Sequence, residues 1–197
     1  LLMKEIKSSK NFNLQIIVTG THLSPEFGMS YKLIENDGFV INKKIKNTVS
    51  NDTHEAINKS AAILLVKLPN ILKKLKPDIL ILVGDRYETL AAAYVAHIVN
   101  IPIGHIGGGE VTVGAIDEAF RHSITKMSSL HFVTRKEYKK RIIQLGENPK
   151  KVFFVGDTSQ EHIKKTKLLS KKTIEKKLKF NFLKRNILVT FHPVTLE

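Results

Sequence analysis

The sequence of 197 residues contains no cysteine and no tryptophan. The absence of cysteine excludes a disulfide framework, a thiolate zinc site and a cysteine nucleophile. The hydrophobic runs stay well below the roughly 20 residues that a membrane-spanning helix needs. No charged segment followed by an apolar one stands at the start, so nothing argues for secretion, and we expect a cytoplasmic protein.

Acidic residues are scarce relative to basic ones, with 18 Asp and Glu against 32 Lys and Arg and a net charge of +14. Most of the excess lies in residues 135–185, which hold 17 Lys and Arg against 5 Asp and Glu. A basic stretch can bind nucleic acid or a membrane surface. This one is nearly all lysine and lacks the interleaved aromatic residues of single-strand binders. We therefore predict a solvated face and expect no nucleic acid and no membrane as partner. A basic nucleic-acid-binding module stays open as the non-enzymatic alternative.

Short β-rich runs alternate with helical patterns along the chain. The runs that favour strands cover residues 14–19, 39–45, 79–83, 103–106, 130–133, 152–155 and 186–191. Strands that alternate with helices predict an α/β fold with an open, mostly parallel sheet and flanking helices. The continuous apolar run 79–83 is typical of a strand that is buried on both faces.

Glycine and polar residues recur where the predicted strands end. In open α/β sheets, ligands bind beyond the carboxyl ends of the strands. These ends carry residues 20–22, 84–86, 105–110 and 156–157, and His192. The sequence therefore predicts a functional site at this edge of the sheet.

The first candidate at this edge is Asp85. Asp85 and Glu88 have the spacing of a capping box at the start of an alanine-rich helix, which would explain both residues structurally. Asp85 can instead project into a cleft as an acid, a base or a substrate-orienting group. Both readings stay open at this point.

The second candidate is Glu110, which directly follows three glycines at 107–109. Such glycines let the backbone approach a ligand, or they form a tight turn. Their N–H groups can also meet an anion. The pattern is not a dinucleotide fingerprint, because Thr112 occupies the position of its third glycine, and the chain has no phosphate-binding loop. We expect no nicotinamide cofactor.

The third candidate is the segment 117–127, which predicts an amphipathic helix. Its polar residues at i, i+3, i+4 and i+7 share one face and are Glu118, Arg121, His122 and Thr125. We expect the buried stripe at Ile116, Phe120 and Met127. The polar face is either a solvated surface with ion pairs or a carboxylate that an arginine and a histidine hold at a cleft. No third ligand accompanies Glu118 and His122, so we expect no metal.

Together these motifs resemble the hydrolysing UDP-N-acetylglucosamine 2-epimerase family, above all its members in sialic- and legionaminic-acid synthesis. The segments that carry the resemblance are 84–88, 105–114, 117–126, 137–147 and 190–196. The resemblance covers essentially the whole chain. It implies a two-domain fold of the glycosyltransferase-B type that binds a sugar nucleotide between its domains, without a metal or a redox cofactor.

The resemblance also implies the domain organisation. Residues 1–156 would form a Rossmann-like N-terminal domain, 157–185 a connector, and 186–197 the beginning of a C-terminal domain. The family's opening strand, its glycine-rich Arg-Ala-Glu turn and most of its C-terminal domain have no counterpart in the sequence. We therefore expect a fragment that is inactive by itself, and a parent protein that forms a homo-oligomer.

The implied reaction begins when a base removes the proton on C2 of the sugar while UDP leaves from C1. Water then adds to the glycal, which gives N-acetylmannosamine and UDP. By resemblance the acid/base candidates are Asp85, Glu110 and Glu118, and the substrate-binding candidates are Arg86, Arg121 and His192. Two alternatives stay open. One is the same reaction on a UDP- or GDP-linked 2,4-diacetamido-trideoxyhexose, and the other is a glycosyltransferase of the same fold.

Overall fold

A computed structural model of the chain describes residues 1–49 and 53–190. The strands in this part of the chain are β1 (Ile17–Thr19), β2 (Lys43–Ile45), β3 (Leu80–Val83), β4 (Ile103–Ile106), β5 (Leu130–Val133) and β6 (Val152–Phe154). The α-helices are α1 (Leu2–Ser8), α2 (Tyr31–Asn36), α3 (His54–Leu75), α4 (Tyr87–Ile98), α5 (Asp117–Met127), α6 (Lys136–Gln144), α7 (Thr158–Lys165) and α8 (Lys171–Leu178). Short 3₁₀ helices occupy Gly20–Leu23, Pro25–Phe27 and Pro149–Lys151.

The strands form two parallel sheets. One pairs β1 with β2, and the other has the order β3-β4-β5-β6. In the larger sheet α4, α5 and α6 connect successive neighbouring strands, as parallel pairing requires. The prediction of an α/β fold with parallel strands and flanking helices is therefore confirmed.

The longest helix, α3, anchors the core beside the smaller sheet. It begins after Thr53, whose side chain accepts a hydrogen bond from the Ala56 N–H. Leu64, Leu68 and Leu72 recur at helical spacing and are almost completely shielded from solvent. They pack against β2 and α4, and the burial of each such side chain contributes about 1.5–3 kcal/mol.

Within residues 1–49 and 53–190, helices cover only one face of the larger sheet, so the prediction that β3 is buried on both faces is wrong for this part of the chain. On the covered face, Leu82 of β3 packs with residues of β4, α4 and α5. On the opposite face, Val83 is 67% exposed and Phe153 is 42% exposed. The apolar run over 79–83 correctly predicts a strand. The described helices nevertheless leave the second face of this strand largely open to solvent.

Residues beyond β6 form the exposed helices α7 and α8, which lie within the predicted connector. The strand predicted over 186–191 is not found in 186–190, where Ile187 and Leu188 are at least 90% exposed. Residue 191 lies outside the described part of the chain. The domain boundaries stay a prediction. Across 1–49 and 53–190, we find no helix with the length and apolar character needed to cross a membrane.

Candidate functional site

Asp85 lies where β3 ends and the chain turns towards α4. Gly84 makes this turn with a φ of 79°, a left-handed conformation that glycine adopts without strain. The helix then begins after Arg86, which caps it with no side-chain hydrogen bond. Of the two interpretations left open, the capping box is therefore wrong, because Asp85 forms an ion pair with Arg121 instead. That interaction spans 36 positions and cannot be read from local spacing.

Arg121 is the centre of the site. Its side chain is only 6% exposed, and its guanidinium donates to the carboxylates of Asp85 and Glu118. The distance from Nη1 to Glu118 Oε2 is 3.0 Å, and Nη2 also donates to Thr112 Oγ1 at 3.1 Å. A single buried cation thus joins the end of β3, the start of α5 and the loop between β4 and α5.

Glu118 makes two further contacts besides its ion pair with Arg121. Its Oε2 accepts a hydrogen bond from the Thr112 N–H at 2.6 Å, and its Oε1 accepts one from His122 Nε2 at 3.1 Å. Burial raises the pKa of Glu118, but the hydrogen bonds from Thr112 and His122 and the charge of Arg121 outweigh it, so the net pKa lies below its usual value. The site therefore favours the ionised form of this carboxyl.

The polar face predicted for α5 is confirmed, because Arg121 and His122 both contact Glu118. The predicted buried stripe is wrong at Ile116, whereas Met127 is partly buried and packs against the core. Ile116 is 47% exposed, whereas Arg121 and Ile124 are buried. The helix turns Arg121 inward, where the guanidinium pairs with Asp85 at the end of β3.

Asp117 is a site residue that the sequence analysis did not single out. Burial raises its pKa, and the negative charge of Asp85 raises it further against the opposing charges of Arg86 and Arg121. Its place in the first turn of α5, directly before Glu118, was the available clue. The site thus contains three carboxyl groups, of which Asp117 is shifted towards its neutral form.

Arg86 lies beside this cluster and is paired with Glu88. Its Nε is 3.1 Å from Glu88 Oε2, and the hydrogen bond to Glu88 raises its pKa. The Arg86 side chain is 61% exposed and the Glu88 side chain only 10%. The Glu88 side chain also packs against Gly20, which directly follows β1. A Cβ at Gly20 would lie 2.9 Å from Glu88 Oε1. Arg86 therefore presents a cation to solvent next to the cluster.

Glu110 has a different environment from the other two acid/base candidates. Its Oε1 accepts a hydrogen bond from Thr134 Oγ1 at 3.2 Å, after the end of β5. Between described residues, no hydrogen bond or ion pair connects Glu110 with Asp85, Glu118 or Arg121. The structure brings three predicted site residues together and places Glu110 at the neighbouring strand end.

Packing explains two of the three glycines that precede Glu110. A Cβ at Gly109 would lie 2.6 Å from the Tyr138 carbonyl oxygen, and a Cβ at Gly108 would lie 2.9 Å from Thr125 Oγ1. Both distances are far inside van der Waals contact. The glycines therefore let the loop lie directly on α6 and α5, whatever it binds.

His192 lies outside the described residues. Within 1–49 and 53–190, the structure has no group of three or more His, Asp or Glu side chains that could hold a metal ion. The described site is thus a set of carboxyls around a buried guanidinium, with a second, exposed arginine beside it. Such a set can bind an anionic group and can take up and deliver protons.

Comparison with known proteins decides the family. The sequence profile described as UDP-N-acetylglucosamine 2-epimerase matches residues 4–197, which is nearly the entire chain. The chain belongs to this family. The resemblance drawn from the strand-end motifs is therefore confirmed.

The curated relatives include two proteins named for a diacetamido sugar. The chain is 47% identical over 196 residues to the GDP/UDP-N,N'-diacetylbacillosamine 2-epimerase (hydrolyzing) of Campylobacter jejuni, and this covers 100% of the chain and 51% of the relative. It is 34% identical to the UDP-N,N'-diacetylbacillosamine 2-epimerase (hydrolyzing) of Legionella pneumophila, covering 100% and 52%. The chain spans about half the length of the curated relatives it matches.

Solved structures agree on the fold. The UDP-GlcNAc 2-epimerase of Neisseria meningitidis, bound to UDP-GlcNAc, matches with a TM-score of 0.72 and 22% identity over 90% of this chain and 47% of that one. The enzyme of Methanocaldococcus jannaschii matches with a TM-score of 0.68 and 22% identity over 80% and 41%. At this level of identity the likeness concerns the fold.

Proposed function

We propose that the complete protein, to which this chain contributes about half, is a hydrolysing sugar-nucleotide 2-epimerase. A base removes the C2 proton of the sugar, and the C1–O bond breaks with its electron pair passing to the diphosphate. Water then adds across the C1–C2 double bond, placing a hydroxyl on C1 and a proton on the opposite face of C2. The products are the free 2-epimer and the nucleoside diphosphate.

The observation that carries the proposal is the carboxyl cluster around Arg121 at the carboxyl edge of a parallel sheet. Proton transfer at C2 needs one carboxyl that accepts a proton and one that returns it. The cluster offers Glu118, whose pKa is lowered, and Asp117, whose pKa is raised. We propose Glu118 and Asp85 as the groups that face the sugar, Asp117 as a proton donor, and Arg86 as a contact of the diphosphate.

Glu110 and His192 stay candidates of the same proposal. Glu110 lies at the end of the next strand, where it can reach a substrate that bridges the two strand ends. His192 is assigned to the diphosphate by family resemblance alone. We also propose the two-domain arrangement and the homo-oligomer on that basis, and light scattering on the complete protein tests the latter.

For the sugar we propose a nucleotide-linked N,N'-diacetylbacillosamine rather than UDP-N-acetylglucosamine. The relatives at 47% and 34% identity are both named for this sugar. The relative from Neisseria meningitidis that is named for UDP-N-acetylglucosamine is 28% identical. The family resemblance alone favours UDP-N-acetylglucosamine and leaves the diacetamido sugar as the alternative. The identities of the relatives reverse this preference.

The decisive experiment offers the complete protein each sugar nucleotide in D₂O. Release of UDP or GDP is followed by chromatography, and the free sugar is examined by NMR. We expect release without any acceptor and deuterium on C2 of the product, with the diacetamido sugar turned over faster. Release that requires an acceptor would favour a glycosyltransferase, and a product without label on C2 would contradict the elimination route.

A further inference from the structure

His105 is a buried histidine to which the proposed reaction gives no role. It lies in β4, and its side chain is completely shielded from solvent. Its Nε2 is 2.9 Å from the Gly84 carbonyl oxygen, and its Nδ1 is 3.2 Å from Thr125 Oγ1. Gly84 directly precedes Asp85, and Thr125 stands about one helical turn after Arg121. The ring therefore connects the two elements that supply the Asp85–Arg121 ion pair.

The two hydrogen bonds define the tautomer of the ring. A carbonyl oxygen only accepts, so Nε2 carries the proton and donates to Gly84. Nδ1 is then the acceptor, and the Thr125 hydroxyl donates to it. Burial lowers the pKa of His105 to about 4, and the neighbouring charges of His131 and Arg121 add to this against the hydrogen bond to Gly84 and the charge of Asp85. The ring thus stays neutral near pH 7 in this one tautomer.

Gly108 packs against this bridge. A Cβ at Gly108 would lie 3.0 Å from His105 Nδ1 and 2.9 Å from Thr125 Oγ1. The loop after β4 therefore closes directly over the hydrogen bond between the two side chains. The bridge is enclosed by strand, helix and loop, so neither partner can exchange its contact for a hydrogen bond to bulk water without a local opening.

We propose that His105 is a positioning residue that fixes the Asp85 carboxylate against the Arg121 guanidinium. It does so by tying the carbonyl before Asp85 to the helix that carries Arg121. The proposal rests on the proposed function, because it concerns the same site. Misplacing a reacting group by about 1 Å can lower a rate about a hundredfold, so this connection bears directly on turnover.

His131 provides a matched control. It lies in the neighbouring strand β5, directly opposite His105 in the parallel register, and its side chain is 1% exposed. Its Nε2 is 3.3 Å from Glu147 Oε2. Among the described residues, no hydrogen bond or ion pair joins it to Asp85, Arg121 or Glu118. Replacing either histidine removes a buried imidazole from the same sheet, but only one replacement cuts the connection to Asp85.

The activity test compares variants of the complete protein. His105→Phe keeps a ring and loses both hydrogen bonds, so we expect kcat to fall at least about tenfold with KM changed less than about threefold. His105→Gln keeps one donor and one acceptor and should recover part of kcat. His131→Phe should keep kcat within about twofold, even if its stability falls. Equal losses of kcat in the two phenylalanine variants, or none in His105→Phe, would overturn the proposal.

A second test needs no substrate. We expect ¹⁵N NMR to show the Nε2–H tautomer of His105 without titration between about pH 5.5 and 8. The Arg121 guanidinium should rotate slowly in the wild type and in Thr125→Ser, and faster in His105→Phe and Thr125→Val. An Nδ1–H tautomer, or an Arg121 signal that is unchanged in His105→Phe, would contradict the positioning role. A wild-type protein that turns over no sugar nucleotide would contradict the proposed function instead. In that case the NMR measurements still test whether His105 positions the Asp85–Arg121 ion pair.

Discussion

Replacing Arg121 with methionine tests whether the site is built around a single buried cation. Methionine keeps most of the apolar stem and removes the guanidinium, which is 6% exposed and pairs with both Asp85 and Glu118. The variant leaves two carboxylates close together without the cation between them. It also removes the hydrogen bond to Thr112 Oγ1. We therefore expect a large loss of stability in the complete protein.

The magnitude follows from burial. Breaking a buried ion pair by removing one partner costs about 3–5 kcal/mol. The side chains of Asp85 and Glu118 are 23% and 28% exposed, so water screens the remaining charges in part. We therefore expect the lower end, about 3 kcal/mol. For a domain of this size that corresponds to a fall in Tm of about 6–12 °C.

The loss depends on pH in a defined direction. In the folded protein the pKa of Glu118 lies below its ordinary value of 4.5. A group of this kind stabilises the fold above its unfolded pKa, and the contribution is lost as the pH falls through the folded pKa. Arg121 is one cause of the lowered pKa. The difference in Tm between wild type and Arg121→Met should therefore narrow below about pH 4.5.

Calorimetry or circular dichroism on the purified variants measures these effects. Lys59→Met is the control, because its ion pair with Glu55 joins side chains that are 62% and 77% exposed. Such a pair contributes about 0.5 kcal/mol or less. Arg121→Lys keeps the charge but not the planar fork, so it should lie between wild type and Arg121→Met. A Tm loss in Arg121→Met no larger than that in Lys59→Met would refute the reasoning.

Two further predictions concern chemistry and packing. Glu118→Gln or Asp85→Asn in the complete protein should lower kcat about a hundredfold, the scale of a lost acid/base group. Nucleotide release within a few-fold of wild type would contradict the assignment of that residue. Gly109→Ala should destabilise the fold more than Gly28→Ala, because their φ angles are 77° and 76°, but only the first Cβ meets a backbone atom, at 2.6 Å. We expect about 1–2 kcal/mol for Gly28→Ala and about 1–3 kcal/mol more for Gly109→Ala in denaturant titrations. Equal losses would argue against the packing explanation.

Much of the fold could be predicted from the sequence because its patterns are local. The apolar stripe that includes Leu64 and Leu68 predicts α3, and short apolar runs ended by glycine predict β3 and β4. The local pattern of apolar residues does not indicate which face of a strand a helix covers. For this reason the run over 79–83 suggested burial on both faces, whereas Val83 is exposed.

The sequence indicated part of the composition of the candidate site but not its connections. The spacing within α5 correctly joined Glu118, Arg121 and His122, because helical neighbours are fixed by the helix itself. The spacing of Asp85 and Glu88 suggested a capping box. In the structure Asp85 pairs with Arg121, and Glu88 pairs with Arg86. Arg121 is buried, and an unpaired buried charge costs more free energy than a helix start without a side-chain cap. The Asp85 carboxylate therefore pairs with Arg121.

The same environment shifts the pKa values of two carboxyls that are adjacent in the sequence in opposite directions. Glu118 receives hydrogen bonds and faces Arg121, which favours its charged form, while burial and the charge of Asp85 favour the neutral form of Asp117. Neighbouring carboxyls whose pKa values are shifted in opposite directions are suited to opposite roles as acid and base. Arg121 is one cause of the lowered pKa of Glu118, and Asp85 is one cause of the raised pKa of Asp117. In the proposed reaction, each member of this ion pair therefore favours the protonation state assigned to one of the two carboxyls, and for this reason the geometry of the pair matters to the proposal.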